Sequence, residues 1–151
     1  MFLTFKDIKK LFPNSRGYMD DRIEIQTVAF SDQEIQPKGL YFPVFDDAGE
    51  IKRAIVNGAI AAVWPENRVV PNYTPNHFPI FLTNDLLKGL LNMINIYIDK
   101  LEENKVEHKS ITKFLFLEEK LLNKNKETYD IAVTAKKLQT LIEEIEQERR
   151  G

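Results

Sequence analysis

The sequence predicts an α/β domain: a small mixed β-sheet with flanking helices, followed by further helices at the C-terminal end. Three observations carry this prediction. The stretch "NGAIAAVWPE", residues 57–66, is almost wholly small or apolar in a protein that is 29% charged, and a run apolar on both faces suits a strand buried between layers. A short amphipathic helix, "EIKRAIVN", leads into it and ends beside Gly58, so the pair reads as the return half of a β-α-β crossover. Beyond residue 84 the apolar residues recur at threes and fours, which is the period of helices.

The elements follow in order. "TFKDIKKLF" sets Phe5, Ile8, Leu11 and Phe12 on one helical face behind a Thr4 cap, and Pro13 stops it. "DRIEIQTVAF" alternates Ile23, Ile25 and Thr27 against Glu24, Gln26 and Val28, the pattern of a half-buried strand. "SDQEIQPKG" is turn chemistry. Residues 40–45, "LYFPVF", form a second strand whose Pro43 cannot donate to a ladder and so marks a strand end or an edge. In the helix 51–57, Ile51, Ile55 and Val56 share the buried face, and Gly58 takes the left-handed cap before a central strand at 60–64. "PENRVVPNYTPNHFP" holds four of the seven prolines and is an irregular connection into the short strand "IFLT", giving about four strands in all. "TNDLLKGLLNMINIYIDKLEE" opens on a Thr83 or Asn84 cap and repeats Leu86, Leu87, Leu90, Leu91, Ile94 and Ile98 along one side. "SITKFLFLEEKLL" and "ETYDIAVTAKKLQTLIEEIEQERR" read as two more helices, the last with Ile131, Leu138, Leu141, Ile142 and Ile145 in one stripe. The expected division is an α/β unit over residues 1–101 and a helical extension over 102–151 packed on it.

Composition narrows the function classes. At 151 residues the protein supports one sizeable core. Its 21 basic and 23 acidic residues give no global attraction for nucleic acid or anionic lipid. Without cysteine there are no disulfides, thiolate metal sites or cysteine nucleophiles. No apolar run approaches the ~18 residues of a membrane span, and "MFLTFKDIKK" lacks the layout of a signal peptide, so the expectation is a cytoplasmic protein without membrane insertion.

The segments "FKDIKKLFP", "TVAFSDQEIQPKGLYFPV", "IKRAIVNGAIAAVWPE" and "IFLTNDLLKGLLNMINIYI" occur in the order of a known family. Over residues 1–100 the sequence resembles the N-terminal, UDP-substrate-binding domain of the Mur ligases that extend UDP-N-acetylmuramoyl peptides. The resemblance implies that a turn and a following loop would hold the UDP portion of a substrate. Mapped by motif order, these positions are Ser31, Asp32 and Gln33 in the turn, with Val44, Phe45, Asp46 and Asp47 in the loop.

The sequence also departs from that family. Ser31-Asp32-Gln33 stands where the family has Asp-Ser-Arg, so the cation that could meet a phosphate is lost. Asp46-Asp47-Ala48 replaces Asp-Gly-His, and paired carboxylates repel an approaching diphosphate. The ligases' ATP chemistry needs a glycine-rich phosphate loop ending in Gly-Lys-Thr or Gly-Lys-Ser, whose N–H groups cradle the phosphates. Here the only Lys-Ser step, Lys109-Ser110, follows Glu107 and His108 rather than glycine. The expectation is a non-catalytic binding, regulatory or scaffold protein with no cofactor and no metal. Its partner is a cell-wall synthesis protein; the alternative is a small-molecule sensor for a UDP-sugar.

Other candidate chemistry reads more plainly as structure. His77 and His108 are isolated in polar segments. Asp46, Asp47 and Glu50 sit where carboxylates favour a helix start, and Asp20-Asp21 opens a strand. Trp64 closes a buried run and belongs to the core, and Tyr73 and Phe78 are expected to pack over the sheet edge. Lys38 is the one cation placed by sequence near the turn. The last apolar stripe either covers the domain's own surface, the favoured reading, or pairs with a partner helix, including that of a second copy.

Overall fold

The computed structural model describes residues 1–45, 48–104, 110–115 and 126–150. Thr4 begins the first helix as expected, because its hydroxyl accepts the Asp7 amide while the Asp7 carboxylate takes the Thr4 amide. The elements run β1 (Leu3–Thr4), α1 (Phe5–Leu11), β2 (Ser15–Arg16), β3 (Glu24–Ile25), β4 (Thr27–Ala29), β5 (Gly39–Tyr41), α2 (Ile51–Val56), β6 (Ala59–Pro65), β7 (Ile80–Thr83), α3 (Leu86–Glu103), β8 (Lys113–Leu115) and α4 (Lys126–Arg150). One six-stranded sheet has the order β2-β7-β6-β5-β4-β8, all parallel except β2, and β1 pairs antiparallel with β3 beside it.

Side-chain alternation divides the core into two layers. Val28, Leu40, Ala61, Val63 and Phe81 face α1, α3 and α4. Tyr41, Ala62, Trp64, Ile80 and Leu82 face α2 and the proline-rich connection. The register between β5 and β6 slips between Gly39 and Leu40, so Ile60 is the extra residue of a bulge and packs, like Ala61, with the first layer. The strands step from β4 through β7 in one direction with α2 on one face. The path then reverses through α3 to β8 on the other face, as right-handed crossovers require.

The α2 to β6 passage matches expectation. Gly58 has φ +115, Asn57 is the C-cap and β6 lies between β5 and β7. Three other expectations change. The half-buried strand expected over 21–30 is two strands broken at Gln26, and Thr27, Val28 and Ala29 are all buried because β4 lies inside the sheet between β5 and β8. Val56 is 78% exposed and Ala54 takes its place on the buried face of α2. The cap of α3 is Asp85, which accepts the Lys88 amide, because the Thr83 hydroxyl is already engaged with the Asp85 backbone. Pro43 does mark a strand end, and β5 is an interior strand.

The largest correction lies beyond residue 101. The spacing of "SITKFLFLEEKLL" predicts a helix, yet Lys113–Leu115 is β8, paired parallel with β4; residues 116–125 are outside the described ones. Phe114 is buried and stacks on Tyr97 at 5.9 Å, so an interior contact overrides the helical spacing of Ile111, Phe114 and Leu115. Helix α4 packs on α3 through Ile131, Ala135, Leu138 and Ile145.

A buried polar cluster ties this edge to the N-terminal strand. The Thr112 hydroxyl accepts the Leu3 amide at 2.8 Å and donates to the Ile25 carbonyl at 2.6 Å. The Tyr97 hydroxyl donates to the Met1 carbonyl and accepts the Thr112 amide. Lys100 bridges the Phe2 carbonyl and the Asp7 carboxylate, 2.6 Å away. Burial pulls the Asp7 carboxyl upward, but the Lys100 hydrogen bond and charge and the Thr4 contacts outweigh it and hold the group below the usual carboxylate range.

Candidate functional site

In a parallel sheet, ligands bind beyond the carboxyl ends of the strands, where loops leave towards opposite faces. The 31–33 turn leaves the carboxyl end of β4 and residues 42–45 leave that of β5; the Phe42 amide donates to the Ala29 carbonyl, holding the two exits side by side. The structure therefore brings Ser31, Asp32, Gln33, Val44 and Phe45 to one edge. Asp46 and Asp47 of the same expected set lie outside the described residues, as does His108.

Each described member has a specific setting. Ser31 is half-buried; its hydroxyl accepts the Gln33 amide and its carbonyl accepts the Gln36 side-chain amide. Gln33 is exposed. Val44 and Phe45 are half-buried and lean on the layer formed with α1 and α3, with the Val44 amide folded back onto the Phe42 carbonyl. Asp32 is only 3% exposed. One of its carboxylate oxygens accepts the Glu50 amide at 2.9 Å and lies 3.5 Å from the Arg53 guanidinium, while its carbonyl accepts the Asn57 side-chain amide at 2.7 Å.

Asp32 is thus a remote N-cap for α2. Glu50, the cap residue in sequence, makes no capping bond with its own side chain. A carboxylate eighteen residues earlier supplies the acceptor instead, where the helix dipole favours negative charge. Asp32→Ala is expected to lower stability by about 1–2 kcal/mol, with Asp32→Asn recovering most of it because an acceptor oxygen remains. Urea unfolding reads this, and an unchanged midpoint in Asp32→Ala would show that the carboxylate carries no structural load.

Lys38 is not at this mouth. It has φ +44 and its carbonyl accepts the Gln26 amide, so it sits at the amino end of β5, across the sheet from Ser31. The 31–38 segment has to return to the start of β5 because β4 and β5 are parallel. The arginines at the carboxyl edge on the α2 side were missed by sequence reasoning, and both have partners. Arg53 pairs with Asp32, and Arg68 lies 4.3 Å over the Trp64 ring while donating to the Gly49 carbonyl at 2.9 Å. The available signal was the weak cap residue Glu50 at the start of an amphipathic helix, which called for an acceptor from elsewhere.

The other expected positions resolve simply. Trp64 is buried and its indole N–H donates to the Arg68 carbonyl. Phe78 packs under the proline-rich connection, whereas Tyr73 is 47% exposed and His77 is exposed. At the opposite, amino edge of the sheet Phe5, Tyr18, Ile23, Ile60, His77 and Pro79 line an open apolar hollow of about 480 Å³. Among the described residues no three His, Asp or Glu side chains gather as metal ligands would, and no helix is long and apolar enough to cross a membrane.

The fold and this edge define a class: an α/β domain with one mostly parallel sheet, covered on both faces, and a loop mouth at its carboxyl ends. Comparison of the sequence with protein-family models and with curated protein sequences gives no match.

Proposed function

We propose that this is a non-catalytic binding or regulatory protein, a cytoplasmic scaffold built on the plan of a Mur-ligase substrate-binding domain and serving peptidoglycan precursor synthesis through a protein partner. The observation that supports it most is the fate of Asp32. The turn that would hold a UDP diphosphate by resemblance is occupied with capping α2, and its carboxylate is buried against Glu50 and Arg53. A diphosphate carries about two negative charges, each needing N–H donors or cations in place of lost water. Arg53 and Arg68 are already engaged, and Glu50, whose amide Asp32 accepts, adds negative charge beside the turn. A turn used in this way supports protein contact better than nucleotide capture.

The second reading is a sensor that holds a UDP-sugar at the same edge. It draws on the adjacency of Ser31 to Val44 and Phe45. An NMR titration of labelled protein with a UDP-N-acetylmuramoyl derivative separates the two. The expected result is binding no tighter than about millimolar, worth ~4 kcal/mol. Saturating shifts of Ser31, Asp32, Val44 and Phe45 at micromolar ligand would sink the scaffold reading and establish the sensor.

A further inference from the structure

Asn57-Gly58 is the one Asn-Gly step in the sequence. Such a step is chemically labile in an unfolded polypeptide. The Gly58 nitrogen attacks the amide carbon of the Asn57 side chain: a new C–N bond forms, the bond from that carbon to the amide nitrogen breaks, and ammonia leaves with the proton given up by the Gly58 nitrogen. Water then opens the resulting succinimide at either carbonyl, leaving aspartate or isoaspartate at position 57. Glycine permits the attack because no side chain hinders the approach.

The folded turn holds both reacting groups. The Gly58 N–H donates to the Ile55 carbonyl at 3.0 Å, so the nitrogen cannot become a nucleophile until that bond opens. The Asn57 side-chain amide, the leaving group, is tethered to the Asp32 carbonyl at 2.7 Å. The Asn57 carbonyl accepts the Gln36 amide at 2.8 Å and the Gly58 carbonyl accepts the Gly39 amide at 3.2 Å, fixing the backbone on both sides of the reacting bond. We propose that Asn57-Gly58 is a spontaneous modification site whose chemistry the folded turn blocks, so that the protein marks its own excursions from the native turn.

The mark damages the turn that allowed it. A carboxylate at position 57 has no proton for the Asp32 carbonyl and faces it with a lone pair. Isoaspartate also lengthens the backbone by one carbon, which moves Gly58 out of the slot where even a Cβ would meet the Gln36 carbonyl oxygen at 2.6 Å. An altered molecule therefore returns to a less stable state.

Mass spectrometry tests this on the intact 151-residue chain. Native protein and the same protein in urea are held at mildly alkaline pH, then digested with trypsin. The peptide 54–68 contains both Asn57 and Asn67, so one spectrum compares them. The expected result is conversion at Asn57 ahead of Asn67 in urea, slowed at least about tenfold in the native protein by the cost of opening the turn. Equal rates in the two arms, or Asn67 reacting first in urea, would overturn the proposal. Modified protein is then refolded; a lower urea midpoint than that of the unmodified protein is expected, and an equal one would overturn the damage to the turn.

Discussion

Gly58→Val is expected to lower stability by about 2–4 kcal/mol, seen as a shift of the urea midpoint. Two effects add. Gly58 has φ +115, a region closed to β-branched residues. A Cβ there would stand 2.6 Å from the Gln36 carbonyl oxygen. That oxygen cannot retreat cheaply, because the Gln36 amide donates to the Asn57 carbonyl and its side-chain amide holds the Ser31 and Glu34 carbonyls. Gly58→Ala adds the same Cβ without branching and should show most of the loss. Two unchanged midpoints would mean that the backbone leaves α2 by some other turn.

The second large effect is set by pH. Burial pushes the Tyr97 hydroxyl up from 10 to about 12, with its Thr112 contacts acting in the opposite direction. Between these values the folded state keeps a proton that the unfolded state has lost, so stability falls as pH rises through that window. Below pH 10 the contribution is complete; above about 12 it is gone, a loss of roughly 2–3 kcal/mol. Tyr97→Phe should start lower at neutral pH by about 1–2 kcal/mol, because the Met1 carbonyl and the Thr112 amide lose their partner, and then show a flatter alkaline decline. Parallel alkaline slopes in the two proteins would contradict the assignment.

What the sequence disclosed is what neighbours decide. The Thr4 cap and the α2 to β6 turn follow from spacings within a few residues and stand where the pattern puts them. Of the α3 stripe, Leu90, Ile94 and Ile98 are buried and Leu86, Leu87 and Leu91 are half-buried, the buried face also taking Met93, Tyr97 and Leu101. Strand β8 depends on β4, more than eighty residues away, and three of its residues, Lys113–Leu115, lie among the described ones. Its apolar spacing fits a helix equally well, so only the open edge beside β4 decides between the two. Strand β2 is two exposed residues with no alternation to announce it. The candidate edge was indicated in the sequence only through the family resemblance; the structure brings its turn and loop together because β4 and β5 are parallel. Its chemistry was hidden. The roles of Asp32 and Arg53 exist only once the crossover folds α2 back over the turn, and Lys38 is close to that turn in sequence while the length of the sheet separates them in space.

The cluster around Thr112 also sets a schedule for synthesis. The amide of Leu3 waits 109 residues for the hydroxyl that accepts it, and Tyr97 must be made before the Met1 carbonyl is met. Helix α1 and the strands as far as β7 are made while that partner is still missing. The first strand is therefore paired early on its β3 side but stays open on the side that meets Thr112 and Tyr97, and until residue 112 leaves the ribosome the nascent domain carries that open seam.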